Sequence, residues 1–336
     1  MFAVPHGPSW LSRPRVLKGA AALVVVLGLL MWWLKPFATP EPRGSVIFST
    51  GVTSGVYQRY GVLLKQDLAR ALPEVSVTLR TSEGSPENIA RVATGEADFT
   101  IATADAVAKY KADHGAGADR LRGCARLYDD YAQLVVPKGS TIRSTADLRG
   151  KRVGVGQPRS GVRLIADRLL KAAGLDGPGV LTADPVGIDS APGLLRSHKL
   201  DAFFWSGGLP TLAVEELSDS FDIRLVPLEP SLIAKLHSTR ESASRYYRSA
   251  EMPADAYLKA QNGKAVSTLA VANLLVTTDR MDPALAEGLT RAVIDSRDSI
   301  GNEVHPAQLV DLRTAIYTDP LPLQEGAKRY YRSVKP

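Results

Sequence analysis

Along this chain one unit recurs: a short β-rich run, a loop of glycines and hydroxyls, then an amphipathic helical pattern. Ser45-Val46-Ile47-Phe48 runs into STGVTSG, residues 49–55, and then into a stripe of Val56, Tyr60, Leu64 and Leu68. Apolar residues three to four apart predict a helix over Gly55–Ala71, and Val75, Val77 and Leu79 alternate as in a strand over Val75–Arg80. EGSPENIARVATG follows, with Ser85 as expected N-cap, Pro86 at the first helical position and Gly95 as the stop. A strand is expected at Phe99–Thr103 and a helix at Ala104–His114. Val153–Val155, the loop Gly156–Gly161 and Val162–Ala173 repeat the opening design, as do Ala202–Trp205 and the loop beyond it. Strands alternating with helices mark an α/β protein with a mainly parallel sheet.

Two stretches break the rhythm. YAQLVVP (131–137) and TLAVANLLVTT (268–278) are apolar strands with no crossover helix of their own. They divide the chain into two α/β halves, so the expected architecture is two lobes facing a cleft with a two-strand hinge. Residues 45–130 and 278–336 would form the first lobe, and 131–277 the second with the hinge strands. The stretch 229–265 is polar, holds three tyrosines, and gives no clear pattern.

The N-terminus has a different character. Arg13, Arg15 and Lys18 precede the uninterrupted apolar run Gly19–Leu34. Sixteen helical residues rise about 24 Å, a little short of a bilayer's hydrocarbon layer unless Val16 and Leu17 join as Lys18 snorkels outward. Trp32 and Trp33 suit the far interface. Pro36-Phe37-Ala38 is a poor cleavage site, and no cysteine follows the run. An uncleaved signal anchor is therefore expected, with residues 1–18 cytoplasmic, a transmembrane helix over 19–34, a proline-rich spacer over 35–44 and the body outside the cytoplasm. A cleaved signal would make the body secreted or periplasmic. Of the formal net charge of +6, the first 43 residues carry +4, through Arg13, Arg15, Lys18, Lys35 and Arg43 against Glu41. The body is nearly neutral, which speaks against nucleic acid as a partner.

The loops themselves point to chemistry. A helix N-terminus presents unpaired amides and a partial positive charge, and glycines let a ligand approach them. Such loops suit a carboxylate or phosphate without requiring an arginine. Other readings fail on detail. Val162 stands where a P-loop lysine would, Pro158 intrudes on any dinucleotide fingerprint, and no G-x-S-x-G elbow occurs. The five histidines are scattered, so no metal site and no cofactor is expected. Asp129-Asp130 reads as a solvated turn, with a general base or metal pair as the alternative. Trp205 is equally a core residue or a cleft wall.

FSTGVTSGVYQRYG, EGSPENIARVATGEADFTIATADA, DLRGKRVGVGQPRSGVRLIADRLLKAAG and FFWSGGLPT, in this order over roughly residues 45–290, resemble the TAXI family of solute-binding proteins. These serve tripartite ATP-independent periplasmic (TRAP) transporters. The resemblance implies a type II periplasmic-binding-protein fold. It also implies capture of a small organic anion, such as glutamate, another amino acid or a dicarboxylate, for a sodium-driven TRAP-type permease. By motif it carries over Thr50, Gly51, Thr53, Ser54, Gly55 and Tyr57 from the first loop, and Gly84 and Ser85 from the second. Thr103-Ala104-Asp105 stands where the family has Gln-Ser-Asp, and Ser160-Gly161-Val162 where it has Ser-Gly-Thr, so two hydroxyls are absent. Ser206, Gly207 and Gly208 line the last loop, and Tyr131 would pack or bond around the ligand beside Tyr57. On this reading a bulky side chain at Ser54 or Gly161 abolishes binding. No catalytic residue is expected. Two alternatives stay open: a membrane-tethered sensor that signals through residues 1–43, and an enzyme with Asp105 or Asp129 as base.

Overall fold

A computed structural model of the chain describes residues 13–34, 42–239 and 241–334, and in the first of these segments the side chains of Lys18 and 20–31. The segment 13–34 is one helix, α1 (Arg13–Leu34). Its described apolar side chains, including Leu23, Val25, Leu27 and Met31, are exposed. Among the described residues no helix is long and apolar enough to cross a membrane. The side chains of the expected interfacial Trp32 and Trp33, residues 1–12 of the n-region and residues 35–41 of the spacer lie outside what is described.

The body is built on one sheet. Its first half runs β1 (Gly44–Ser49), α2 (Val56–Ala71), β2 (Val75–Arg80), α3 (Ser85–Thr94), β3 (Phe99–Thr103), α4 (Ala104–Ala112) and the long β4 (Leu121–Pro137). Its second half runs β5 (Arg152–Gly154), α5 (Gly161–Ala172), β6 (Thr182–Asp184), α6 (Ala191–Arg196), β7 (Ala202–Gly207), α7 (Leu212–Ser220) and β8 (Ile223–Val226). Then come α8 (Pro230–Ser238), β9 (Arg248–Met252), α9 (Leu258–Gln261) and the second long strand β10 (Val266–Thr278). The chain ends with α10 (Pro283–Asp295), α11 (Arg297–Gly301) and α12 (Glu325–Val334).

Strand order is β2-β1-β3-β10-β4-β7-β5-β6, with β8 also on β4 and β9 on β10. Two parallel groups, β2-β1-β3 and β7-β5-β6, flank the antiparallel pair β10/β4. This register sets the direction of every loop. β3 and β7 both run antiparallel to their long neighbours, β3 to β10 and β7 to β4. Because β10 and β4 oppose each other, β3 and β7 point toward each other. Their carboxyl ends meet at mid-pair, where Thr103 faces Asn273 and Gly207 faces Tyr131. Loops at the carboxyl ends of parallel strands are where ligands of open α/β sheets bind.

The core divides at the same place. Buried side chains from Val46 to Tyr128 and from Leu274 onward pack in one set of clusters, and those from Ala132 to Val271 in another. The change falls within β4 and within β10, and the register of the pair is irregular between Ala272 and Leu274. The molecule is thus two-lobed, with two strands crossing between lobes. α2 shows why its sequence folds as expected: Tyr60, Leu64 and Leu68 are buried at four-residue spacing, each contributing roughly 1.5–3 kcal/mol of apolar burial.

Several expectations need correction. β4 begins at Leu121, ten residues before the expected start at Tyr131, so Asp129 and Asp130 lie inside a strand and are buried. They form no solvated turn. Asp129 is held by Arg126, three residues back, and by the distant Arg248, and Asp130 by the distant Asn273 and Tyr57. Gly84, with φ of 139°, is the residue before α3, and Ser85 is its first helical residue, not its cap. The unclear stretch 229–265 forms α8, β9 and α9 around a short 3-10 turn at Ser244–Tyr246.

Candidate functional site

Four helices begin at the line where the lobes meet. α2 and α3 in the first lobe and α5 in the second start there, and α4 follows directly from the end of β3. No side-chain cap closes α2, α3 or α4, and the Ser160 hydroxyl caps α5 only at the Arg163 amide, 3.1 Å away. The first-turn amides at Val56, Tyr57, Ser85, Gly161 and Val162 therefore have no intrahelical partner. Between these starts lies a cleft with about 460 Å³ of empty space.

The expected residues divide. Gly51, Gly55, Tyr57, Gly84 and Ser85 line the cleft from the first lobe, with Thr103 at the end of β3. Gly161, Val162, Ser206 and Gly207 line it from the second. The other seven stand outside the lining, each for a visible reason. The Thr50 hydroxyl is turned to Gln58 and to the Arg80 carbonyl. Thr53 and Ser54 are exposed, and Ser54 bonds to Asp189 instead. Asp105 is buried beneath α4, where the Tyr247 hydroxyl donates to it at 2.6 Å and Arg168 lies 3.6 Å away. Tyr131 packs on the second lobe's core. Ser160 is occupied as a cap, and Gly208 abuts Pro306 and Tyr128. Four further lining residues were not anticipated, Val52, Val56, Glu83 and Asp130, while Trp205, read as equally core or cleft wall, is buried and also lines the cleft. Asp130 was legible only through its place in β4, because an acid inside a long apolar strand must face either a partner or a cavity.

The walls are mainly apolar. Val52 and Val56 stand on one side, Val162 and the Trp205 ring on the other. The Trp205 indole N–H donates to Thr211 Oγ1 at 2.9 Å, which fixes the ring and leaves its face to the cleft. Two hydroxyls at the cleft, Thr103 Oγ1 and Ser206 Oγ, are buried without a hydrogen-bond partner. A buried hydroxyl with nothing to bond costs on the order of 1–3 kcal/mol, which a ligand's polar group would recover. The Ser85 hydroxyl accepts from the Thr103 amide at 3.1 Å and lies 3.2 Å from the Tyr57 hydroxyl. The Tyr57 oxygen is in turn 3.3 Å from Asp130 Oδ2.

Burial, with Asp130 beside it, raises the Tyr57 phenol far above its ordinary pKa, so it stays a neutral donor. Burial also pushes Asp130 up to about 7, reinforced by the charges of Asp129 and Asp105 and opposed by bonds from Asn273 and Tyr57. A carboxyl that holds its proton more tightly when folded stabilises the fold at low pH. That contribution is lost as pH rises from the unfolded value near 4 through about 7. Between pH 5 and 8 it amounts to about 3 kcal/mol. The ligand-free wild type is expected to lose that much more stability over this interval than Asp130→Asn, measured by urea unfolding at both pH values.

The lobes touch across the cleft. A Cβ placed on Gly84 would sit 3.3 Å from the Gly161 amide nitrogen. The Arg159 amide donates to Glu83 at 2.7 Å, and the Arg159 guanidinium lies 3.3 Å from Glu87. Ser54 reaches Asp189, its amide at 3.2 Å. This is a shut cleft, latched at its rim by side chains from both lobes.

The model of the NMT1-like family matches residues 48–334, nearly the whole body. The chain belongs to the NMT1-like family. Among solved structures, one from Bordetella bronchiseptica RB50 is similar to this NMT1-like protein at 17% identity and a TM-score of 0.52, the match covering 87% of this chain and 81% of that one. The alkanesulfonate-binding protein from Xanthomonas axonopodis pv. citri bound to MOPS is 17% identical with a TM-score of 0.47, over 88% and 85% of the two chains. A putative L-cystine ABC transporter from Listeria monocytogenes is 13% identical with a TM-score of 0.49, over 80% and 98%. At such identities the likeness is one of fold, and of these three the Bordetella structure exceeds a TM-score of 0.5. The NMT1-like body has the α/β two-lobe, periplasmic-binding-protein-like fold.

Proposed function

We propose that this NMT1-like protein is an extracytoplasmic solute-binding protein that closes its two lobes over a small carboxylate-bearing solute and delivers it to a membrane permease. One observation carries the reading. The uncapped starts of α2 and α3 meet the start of α5 around a cleft that also holds two unpartnered hydroxyls, Thr103 Oγ1 and Ser206 Oγ. Amides and hydroxyls at the starts of these helices suit a carboxylate. It is a binding protein and not an enzyme. Of the acids once weighed as a base, Asp105 and Asp129 are both engaged by arginines outside the cleft lining.

On the strength of the sequence resemblance, the permease is of the TRAP type. The exposed apolar helix α1 supports tethering of the body to the cell membrane. Closure draws on contacts present only in the shut form, so ligand and latches together set the equilibrium. A thermal-shift screen of the full-length protein against small monocarboxylates, dicarboxylates and amino acids tests the reading. A rise in melting temperature with one class supports it, and no shift with any class overturns it. The latch gives a smaller effect. Asp189→Ala removes an exposed bond worth about 1 kcal/mol, so the affinity for whichever solute binds is expected to fall about fivefold by calorimetry.

A further inference from the structure

Asp130 does not fit a site built only for anions. It is a buried acid on the cleft floor, yet no lysine or arginine pairs with it among the described residues. The nearby cations are engaged elsewhere: Arg126 and Arg248 on Asp129, and Arg168 on Asp105 and Glu241. The second acid on the lining, Glu83, is held by Arg159. Around Asp130 are Tyr57 from α2, Tyr128 and Asp129 from β4 itself, Asp105 from α4 and Asn273 from β10. Every charged group in that set is negative. Asn273 donates to Oδ1 at 2.6 Å, while Oδ2 faces, among the described residues, the Tyr57 hydroxyl at 3.3 Å, which also lies against Asn273 Oδ1.

Resting on the carboxylate reading above, we infer that Asp130 receives the ammonium group of the solute, and that the solute is a small apolar α-amino acid and not a dicarboxylate. A buried carboxylate without a counter-ion is costly, and a cationic group supplied by the ligand is the partner the site lacks. The two ends of the site are close. Ser85 at the start of α3 and Asp130 flank the same Tyr57 oxygen, at 3.2 Å and 3.3 Å. That separation suits opposite charges carried on one carbon. The remaining walls, Val52, Val56, Val162 and Trp205, offer nothing to a second carboxylate and would hold an apolar side chain. Tyr57, whose hydroxyl touches both ends, positions the two charges.

The test is titration calorimetry on the full-length protein. L-valine, L-leucine and L-phenylalanine are compared with 3-methylbutanoate, 4-methylpentanoate, 3-phenylpropanoate and succinate. An amino acid is expected to bind at least 30-fold more tightly than its des-amino counterpart, roughly the cost of an unpaired buried charge, and Asp130→Asn is expected to remove that preference. The wild type alone gives a second readout. An ammonium group favours ionised Asp130, so amino-acid affinity should rise about tenfold from pH 6 to 8, whereas a bare carboxylate should bind more weakly over the same interval. If a des-amino acid or succinate binds as tightly as the amino acids, or amino-acid affinity falls with pH, the ammonium role of Asp130 is wrong while the solute-binding function stands. If no member of the panel binds, both are overturned.

Discussion

Gly161→Trp is expected to abolish solute binding, with a loss of at least 100-fold, while the melting temperature moves by no more than a few degrees. Gly161 opens α5 facing Gly84 of the opposite lobe. The atoms nearest a Cβ built there belong to Ser85 and Thr103, at 3.6 Å and 3.9 Å. Both belong to the opposite lobe and both line the cleft. An indole projecting from Cβ would occupy the space meant for the solute and hold the lobes apart. From that Cβ it would project toward the cleft residues of the opposite lobe, because these are the nearest atoms. A 100-fold loss corresponds to about 2.7 kcal/mol of binding free energy, and surface substitutions change folding stability far less. Calorimetry and a thermal melt on the same preparation separate the two effects. Intact binding in the variant would place the ligand elsewhere.

Arg168→Met is expected to destabilise the protein by about 3–5 kcal/mol, the usual cost of orphaning one member of a buried ion pair. Arg168 on α5 donates to the Tyr247 hydroxyl at 2.8 Å and lies 3.6 Å from Asp105 on α4. Asp105 is fully buried, and its Oδ1 has no hydrogen-bond partner. Methionine keeps most of the volume but leaves Asp105 with the Tyr247 hydroxyl alone. Urea unfolding should show the loss, and adding Asp105→Asn should restore part of it, because the uncompensated charge is then gone. Equal stability of wild type and Arg168→Met would mean that Arg168 does not compensate Asp105.

The parts of this fold that sequence revealed are those governed by local rules. β2 at Val75–Arg80 and β3 at Phe99–Thr103 lie where alternation and apolar runs place them. α2 and α5 begin within a residue of their small-residue loops. The same locality explains why glycines flanking helix starts, such as Gly55, Gly84 and Gly161, line the cleft: a chain that leaves a strand for a helix must turn at the sheet edge.

What sequence hid depends on partners distant along the chain. The first half of β4, LRGCARLYDD, carries charges that mask a strand, and Arg248, brought in by β9, helps to neutralise Asp129. The resemblance makes Asp105 a ligand residue, as the last position of the motif that stands where the family has Gln-Ser-Asp, yet Tyr247 and Arg168 claim it. Ser54 sits in the most ligand-like loop but points outward to Asp189, so a bulky residue there would break a latch and not fill the cleft. Side-chain direction at a loop is decided by the opposite lobe, which no local pattern encodes.

A crystal structure of the full-length protein with its calorimetrically identified solute, L-leucine if the panel behaves as expected, would decide where the ligand sits. The predicted density has the carboxylate on the amides that begin α2, α3 and α5, the ammonium within hydrogen-bond reach of Asp130, and the side chain against Trp205. A solute bound outside this cleft, or bound with its carboxylate on the Trp205 side and nothing at the helix starts, would contradict the account.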